Sequence, residues 1–329
     1  MRHCRAILVA ATIATFVVSV SSVQTAQADK SPVKVFILAG QSNMQGQGVV
    51  DMDHPKYYNG GKGNLEYVMK HSPLAAMYKH LKDKDGKWVV RDDVWVSHKT
   101  GHGKLLTGGL TIGFTGYGGK SHIGPELQFG HVIGDALDNQ VLLIKTAWGG
   151  KSLYVDFRPP SSGGKVGPYY TQMIAEVREA LASLKEHFPD YDGRGYEIAG
   201  FVWQQGWNDM CTPPAIPEYA QNQANLIRDL RKEFKSPKMP VVIGELGNGG
   251  PDAKGSMLAF RKAQAAIANV PEFKGNVAFV KTAQFARPAK ESPNVSHGHH
   301  WCGNAESYFL VGDALGKEMK KLLKAGRGK

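Results

Sequence analysis

The chain has 329 residues, 42% of them hydrophobic and 21% charged, which excludes a disordered chain, since disorder needs low hydrophobicity and high charge. Gly (39) and Pro (17) fall short of a low-complexity or collagen-like composition and point to many loops. The net charge of +11 would suit an acidic partner. Part of the excess, however, lies in Lys317, Lys320, Lys321 and Lys324 near the carboxy terminus, a pattern that reads as a solvated helix face. No groove-reading motif accompanies it, so nucleic acid is not an expected partner.

The chain opens with Arg2 and Arg5, an apolar run from Ala6 to Val20, and the small-x-small triplet Ala26-Gln27-Ala28. This predicts a secretory signal peptide over 1–28, cut before Asp29, and hence a secreted or periplasmic protein. The apolar run is short of the ~20 residues of a spanning helix, so no stable membrane anchor is expected once the signal is removed. The remainder, 29–329, is expected to be one domain.

Val35-Phe36-Ile37-Leu38-Ala39 reads as a buried strand running into a tight turn at Gly40. Residues 50–120, rich in Gly, Lys, Asp and Tyr, read as long inserted loops, with Val94-Trp95-Val96 a short strand. A helix is expected from Gly124-Pro125-Glu126-Leu127 to about Leu137, with Pro and an acid placed early. Strands follow at 141–144, 198–203, 241–243 and 277–280. Helices are expected at 170–187, 217–235, 257–267 and 304–323. Apolar strands alternating with amphipathic helices indicate an α/β fold with a parallel sheet. In such sheets ligands gather at the carboxyl ends of the strands.

Polar groups flanked by glycine stand at those ends: Gly40-Gln41-Ser42-Asn43-Met44, Trp148-Gly149-Gly150, and Gln204-Gln205-Gly206-Trp207-Asn208-Asp209. Before the last helix comes Ser296-His297-Gly298-His299-His300. A serine, a histidine base and small or amide donors are what acyl transfer requires. The nucleophile elbow Gly-x-Ser-x-Gly is not matched, because Met44 stands where Gly is needed. Phosphate-loop spacing also fails at Gly119-Lys120-Ser121 and Gly150-Lys151-Ser152, where Phe114 and Lys145 replace the first Gly.

The ordered blocks Val35 to Met44, Gly124 to Leu127, Trp148-Gly149-Gly150 and Trp203-Gln204-Gln205-Gly206 resemble the sialate O-acetylesterase / acetyl xylan esterase group of SGNH (GDSL-like) hydrolases. The likeness covers about 33–325. It implies a flavodoxin-like three-layer α/β/α fold and a serine esterase that removes acetyl or other short acyl groups from carbohydrate hydroxyls, with no metal or cofactor. Carried over by position, Ser42 matches the nucleophile, one of Gly149 and Gly150 the oxyanion glycine, Gln205 an amide donor, and His300 the base.

The pattern also departs from the family. Gln204 and Trp207 stand where its third block has His and Glu, and His297 stands where many relatives carry an acid three residues before the base. Asp209 is therefore nominated as the acid that orients His300, with Glu245 in reserve. If Asp209 reaches His300, then Cys211 and Cys302, each two residues further on, adjoin and a disulfide between them is expected in an exported protein. Tyr57, Tyr58, Tyr67, Trp88, Trp95 and Tyr117 in the inserted loops are candidate stacking faces for an acetylated carbohydrate. The missing acid leaves open a carbohydrate-binding protein of the same fold with impaired catalysis. A metal centre at His297, His299 and His300 would need ligands from elsewhere.

Overall fold

The computed structural model describes residues 31–327; the segment read as a signal peptide, 1–28, lies outside the described residues. The chain begins with β1 (Val33–Gly40), α1 (Ser42–Gln45), β2 (Gly48–Val49), α2 (Leu65–His71), β3 (Arg91–Lys99), β4 (Leu105–Leu110) and β5 (His122–Ile123). It continues through α3 (Glu126–Gly134), β6 (Val141–Ala147), α4 (Pro168–Ala182), α5 (Leu184–His187), β7 (Tyr196–Gln204) and α6 (Trp207–Met210). The last elements are α7 (Ala215–Glu233), β8 (Val241–Gly244), α8 (Gly255–Ala265), β9 (Val277–Val280) and α9 (Ala305–Arg327). Among the described residues no helix is long and apolar enough to cross a membrane.

Seven strands form one sheet in the order β4-β3-β6-β1-β7-β8-β9. All neighbours are parallel except β3 and β4, which are antiparallel. Successive side chains of a strand face opposite ways, and β1 uses this on both faces. Val33, Val35, Ile37 and Ala39 enter one core with Met173 and Val177 of α4, Leu230 of α7 and Phe260 of α8. Phe36 and Leu38 enter the other with Phe129 of α3 and Phe309, Leu315 and Met319 of α9. A strand apolar on both faces must be covered on both, which gives the helix–sheet–helix layering expected of this sequence.

The region 50–120 differs from the expected loops. It contains α2 and contributes β3 and β4, which extend the sheet beyond β6. The sequence marks only Val94-Trp95-Val96 of β3 and hides β4. β3 opens on Arg91-Asp92-Asp93, and β4 carries Gly108-Gly109 on the sheet edge. Trp95 is not a sugar platform. It is buried, with its ring 4.7 Å from Phe188 and stacked on it.

β1 occupies the centre of the sheet, so its carboxyl end lies between those of β6 and β7. Gly40 makes the exit possible. Its φ is +153°, and a Cβ there would lie 2.1 Å from the Gln204 carbonyl oxygen of β7. Only glycine lets the chain turn so tightly against its neighbour.

Candidate active site

Ser42 begins α1, a single helical turn directly after β1. The turn is fastened from several sides. Gln41 Oε1 accepts the Gly206 N–H at 2.9 Å. Asn43 Oδ1 accepts the Tyr308 hydroxyl of α9 at 2.8 Å, while its amide donates to Asn248 Oδ1 and to the His299 carbonyl at 3.3 and 3.1 Å. Beneath it, the wholly buried Lys145 ammonium donates to the Gln45 carbonyl (2.8 Å), the Phe114 carbonyl (2.7 Å) and Glu126 Oε2 (2.7 Å). Glu126 Oε1 accepts the Gly124 N–H at 3.0 Å.

A cavity of about 590 Å³ opens over this turn. Ser42, Gln41 and Gln45 line it from the β1 end, Trp148, Gly149, Gly150 and Lys151 from the β6 end, and Trp207 and Asn208 from α6. His299 and His300 line it from the loop before α9, and Tyr117 and Tyr169 from the loops around it. Gly149 lies against the serine: a Cβ there would be 3.9 Å from Ser42 Cβ and only 2.6 Å from Tyr117 Oη. A side chain at this position would collide, and its absence leaves the glycine N–H unobstructed.

The histidine loop is built by strain and main-chain anchors. Trp301 and Cys302 both hold φ near +53°, followed by Gly303 at +69°. Left-handed backbone costs roughly 1–2 kcal/mol per non-glycine residue, so surrounding contacts must hold it. The Gly298 carbonyl accepts from Asn248 (3.2 Å), that of His299 from Asn43, and that of His300 from the Tyr308 hydroxyl (3.2 Å). The His299 and His300 rings stand 4.1 Å apart, and His297 lies 5.6 and 6.3 Å from them. Burial, reinforced by the neighbouring imidazoles, pulls His300 down to about 4. Burial and His297 lower His299 as well.

Of the residues nominated from sequence, Ser42, Gly149, Gly150 and His300 meet on this cavity. Asp209 does not join them. Fully buried, it accepts the Leu153 and Tyr154 N–H groups at 2.8 and 2.9 Å and the Gln205 amide at 2.5 Å. Its carboxylate thus ties the loop after β6 to α6 instead of orienting His300. Burial raises it to about 6 against the pull of those donors.

Gln205 is likewise taken up in structure. Its amide donates to Asp209 and to the Lys151 carbonyl (3.0 Å), and its own carbonyl accepts the Tyr219 hydroxyl (2.9 Å). Glu245, the reserve acid, accepts the Thr282 and Ala283 N–H groups, each at 2.9 Å. Among the described residues no carboxylate is bonded to His297, His299 or His300.

The disulfide is also absent: Cys211 is an exposed thiol and Cys302 a buried one, with Cys302 Sγ 3.9 Å from the Val295 carbonyl oxygen. The carboxylate of Asp209 is engaged with the β6 loop, and although Trp207 of the same helix reaches His299, Cys211 at its end stays exposed while Cys302 is buried. Among the described residues no group of three His, Cys, Asp or Glu side chains is arranged to hold a metal ion.

Sequence reasoning missed several lining residues. Asn208 donates to the Gly150 carbonyl at 2.7 Å and so brings an amide to the glycine pair. Its neighbours Gln205 and Asp209 drew attention from it, although its place at the β7 exit was a usable signal. Of the six candidate aromatics only Tyr117 lines the cavity; Tyr169, Trp148 and Trp207 join it. Trp207 stands 5.7 Å from the His299 ring, and the Lys151 ammonium lies 4.4 Å above the Tyr169 ring.

Comparison with known proteins identifies the family. Residues 32–320 match the family model described as carbohydrate esterase, sialic acid-specific acetylesterase. A probable carbohydrate esterase of Arabidopsis thaliana is 23% identical over 226 residues, covering 67% of this chain and 71% of that protein. Among solved structures, an Arabidopsis thaliana protein superposes with a TM-score of 0.55 at 17% identity, over 88% of this chain and 98% of that one. A carbohydrate acetylesterase from Xanthomonas citri does so with a TM-score of 0.50 at 14% identity, over 87% and 57%. The structural likenesses show the shared fold, and the family match spans nearly all of the described chain. The chain therefore belongs to the carbohydrate esterase, sialic acid-specific acetylesterase family and is a carboxylic ester hydrolase.

Proposed function

We propose that this protein is an exported serine esterase that releases acetyl groups from carbohydrate hydroxyls, with Ser42 as nucleophile and His300 as base. The observation that carries the reading is the meeting of Ser42, Gly149, Asn208 and His300 on one cavity, from four separate parts of the chain. Export, to the medium or the periplasm, rests on the basic-then-apolar amino terminus alone.

In the first half-reaction His300 takes the Ser42 proton as Oγ attacks the ester carbonyl. No hydrogen bond joins the two side chains in the free site; such contacts are often long before substrate binds. The oxyanion is received by the Ser42 N–H, the N–H of Gly149 or Gly150, and the Asn208 amide in place of Gln205. His300 passes its proton to the departing sugar oxygen, leaving an acetyl-serine. Water, deprotonated by His300, then attacks that ester and releases acetate, and Ser42 recovers its proton. The base works as a serine–histidine dyad. The carbonyl anchors hold the main chain of its loop in place, while no carboxylate is bonded to the ring as in a triad. Trp207, Tyr169 and Trp148 supply apolar faces for a sugar ring.

The test is acetate release from acetylated glycans and p-nitrophenyl acetate by wild type, Ser42→Ala, His300→Ala and His299→Ala. The first two variants should be inactive and the third active. Turnover by a folded Ser42→Ala protein would remove Ser42 from the reaction. The bare imidazole of His300 favours a second reading, a carbohydrate-binding protein with impaired catalysis. Glycan binding by wild type without acetate release would establish it.

A further inference from the structure

Three of the four substituents of the tetrahedral carbon have their places assigned once Ser42 and His300 carry the reaction. Ser42 Oγ is one. The oxyanion points to the Gly149–Gly150 and Asn208 donors. The alcohol oxygen must lie toward His300, which protonates it. His300 belongs to the β7–β8 side of Ser42, because its loop is bonded to Asn248 after β8 and packs against Trp207 after β7. The acyl group is left with the side away from His300, on the β6 half of the site beside the glycine pair, where Gln45 and Tyr117 line the cavity together with Gly101, His102 and Gly116.

That wall is tight and fixed. The Tyr117 hydroxyl donates to Gln45 Oε1 at 3.0 Å. A Cβ on Gly149, itself 3.9 Å from Ser42 Cβ, would meet Tyr117 Oη at 2.6 Å and Gln45 Oε1 at 3.3 Å. Both polar atoms therefore stand within about 7 Å of Ser42 Cβ. Behind them Gly116 closes on the amide, for a Cβ there would come within 2.6 Å of Gln45 Nε2. The main chain on either side is pinned. Lys145 holds the Phe114 and Gln45 carbonyls, and Thr115 Oγ1 donates to the Tyr117 carbonyl at 2.5 Å. Gln45 is 4% exposed.

We propose that the hydrogen-bonded Gln45–Tyr117 pair is the acyl-length determinant of this esterase, closing the β6 side of the site behind an acetyl methyl. It rests on the assignment of Ser42 and His300 given above. A longer acyl chain would have to displace a phenol ring or part the amide from the hydroxyl. The selectivity lies on the acid half of the ester and is independent of the sugar.

The experiment compares kcat/KM for p-nitrophenyl acetate, butyrate and hexanoate in wild type, Tyr117→Ala, Tyr117→Phe and Gln45→Ala. Wild type should prefer acetate. Tyr117→Ala should raise the butyrate-to-acetate ratio about tenfold or more, as expected when a hydrophobic space admits extra methylenes. Tyr117→Phe, which keeps the ring and loses only the hydroxyl, should stay near the wild-type ratio. Gln45→Ala is the second probe, should Tyr117→Ala fail to fold. A wild-type enzyme that takes butyrate as readily as acetate overturns the proposal. So does a ratio unmoved in both alanine variants. Either result leaves Ser42 and His300 in place, whereas no ester cleavage by folded wild type would defeat that assignment and this proposal with it.

Discussion

Replacing Lys145 with methionine tests the polar hinge beneath the serine. The side chain is close in length and apolar, so the volume is nearly kept. What is lost is an ammonium that donates to Glu126 and to the carbonyls of Gln45 and Phe114. Both members of the ion pair are essentially unexposed, at 0% and 1% of side-chain surface. Removing one partner of such a pair leaves the other charged or forced to neutralise, at about 3–5 kcal/mol. Each carbonyl left without a donor adds about 1–3 kcal/mol. The sum, about 5 kcal/mol or more, rivals the whole stability of a typical domain. Urea unfolding at pH 7 should show Lys145→Met barely folded. The double variant Lys145→Met/Glu126→Leu should regain part of the loss, because no buried charge is then stranded. Its kcat should still fall, since Gln45 and Phe114 are no longer tied together. A single variant within about 1 kcal/mol of wild type, or a double variant less stable than the single, would refute the reasoning.

Two further outcomes follow from the site. The imidazole must be neutral to act as base, and His300 is pulled down to about 4 by burial and its neighbours. The acidic limb of kcat/KM should therefore fall near pH 4 and not near 6.5. A histidine whose folded value is depressed binds protons better when unfolded, so stability should decline as pH falls from about 6.5 to about 4. An acidic limb at 6.5 would show that the working base is not an imidazole held down by burial as His300 is here. Asn208→Ala should lower kcat by about 10²–10³, roughly 3–4 kcal/mol of oxyanion stabilisation, with stability little changed. Gln205→Ala should instead lower the unfolding midpoint, and the reverse pattern would restore Gln205 to the oxyanion hole.

The central sheet was legible because strands buried on both faces read as unbroken apolar runs, as at 35–39 and 141–144. The edge was less so: Val94-Trp95-Val96 read as a strand, but Arg91 pairs only with Leu110 of β4, and Gly108-Gly109 belong to a strand because β3 is there to receive them. Ser42, Gly149 and His300 could be placed because each lies at a strand exit or immediately before a helix, where topology dictates position. Asp209 and Gln205 could not. Which way a side chain turns from α6 depends on the β6 loop offering it two N–H groups, a tertiary fact that no spacing records. The disulfide expectation failed with them, as it depended on the same turn. Aromatic content was equally silent, since Trp95 and Tyr117 differ in use only through what packs upon them.

The bond between Asn43 and Tyr308 joins residues 265 positions apart, and the same asparagine holds the loop that carries the histidines. The serine is thus synthesised long before the imidazole proposed as its base. On the proposed roles, a chain ending before His300 keeps the nucleophile but loses both that base and the Tyr308 hydroxyl that fastens the serine turn.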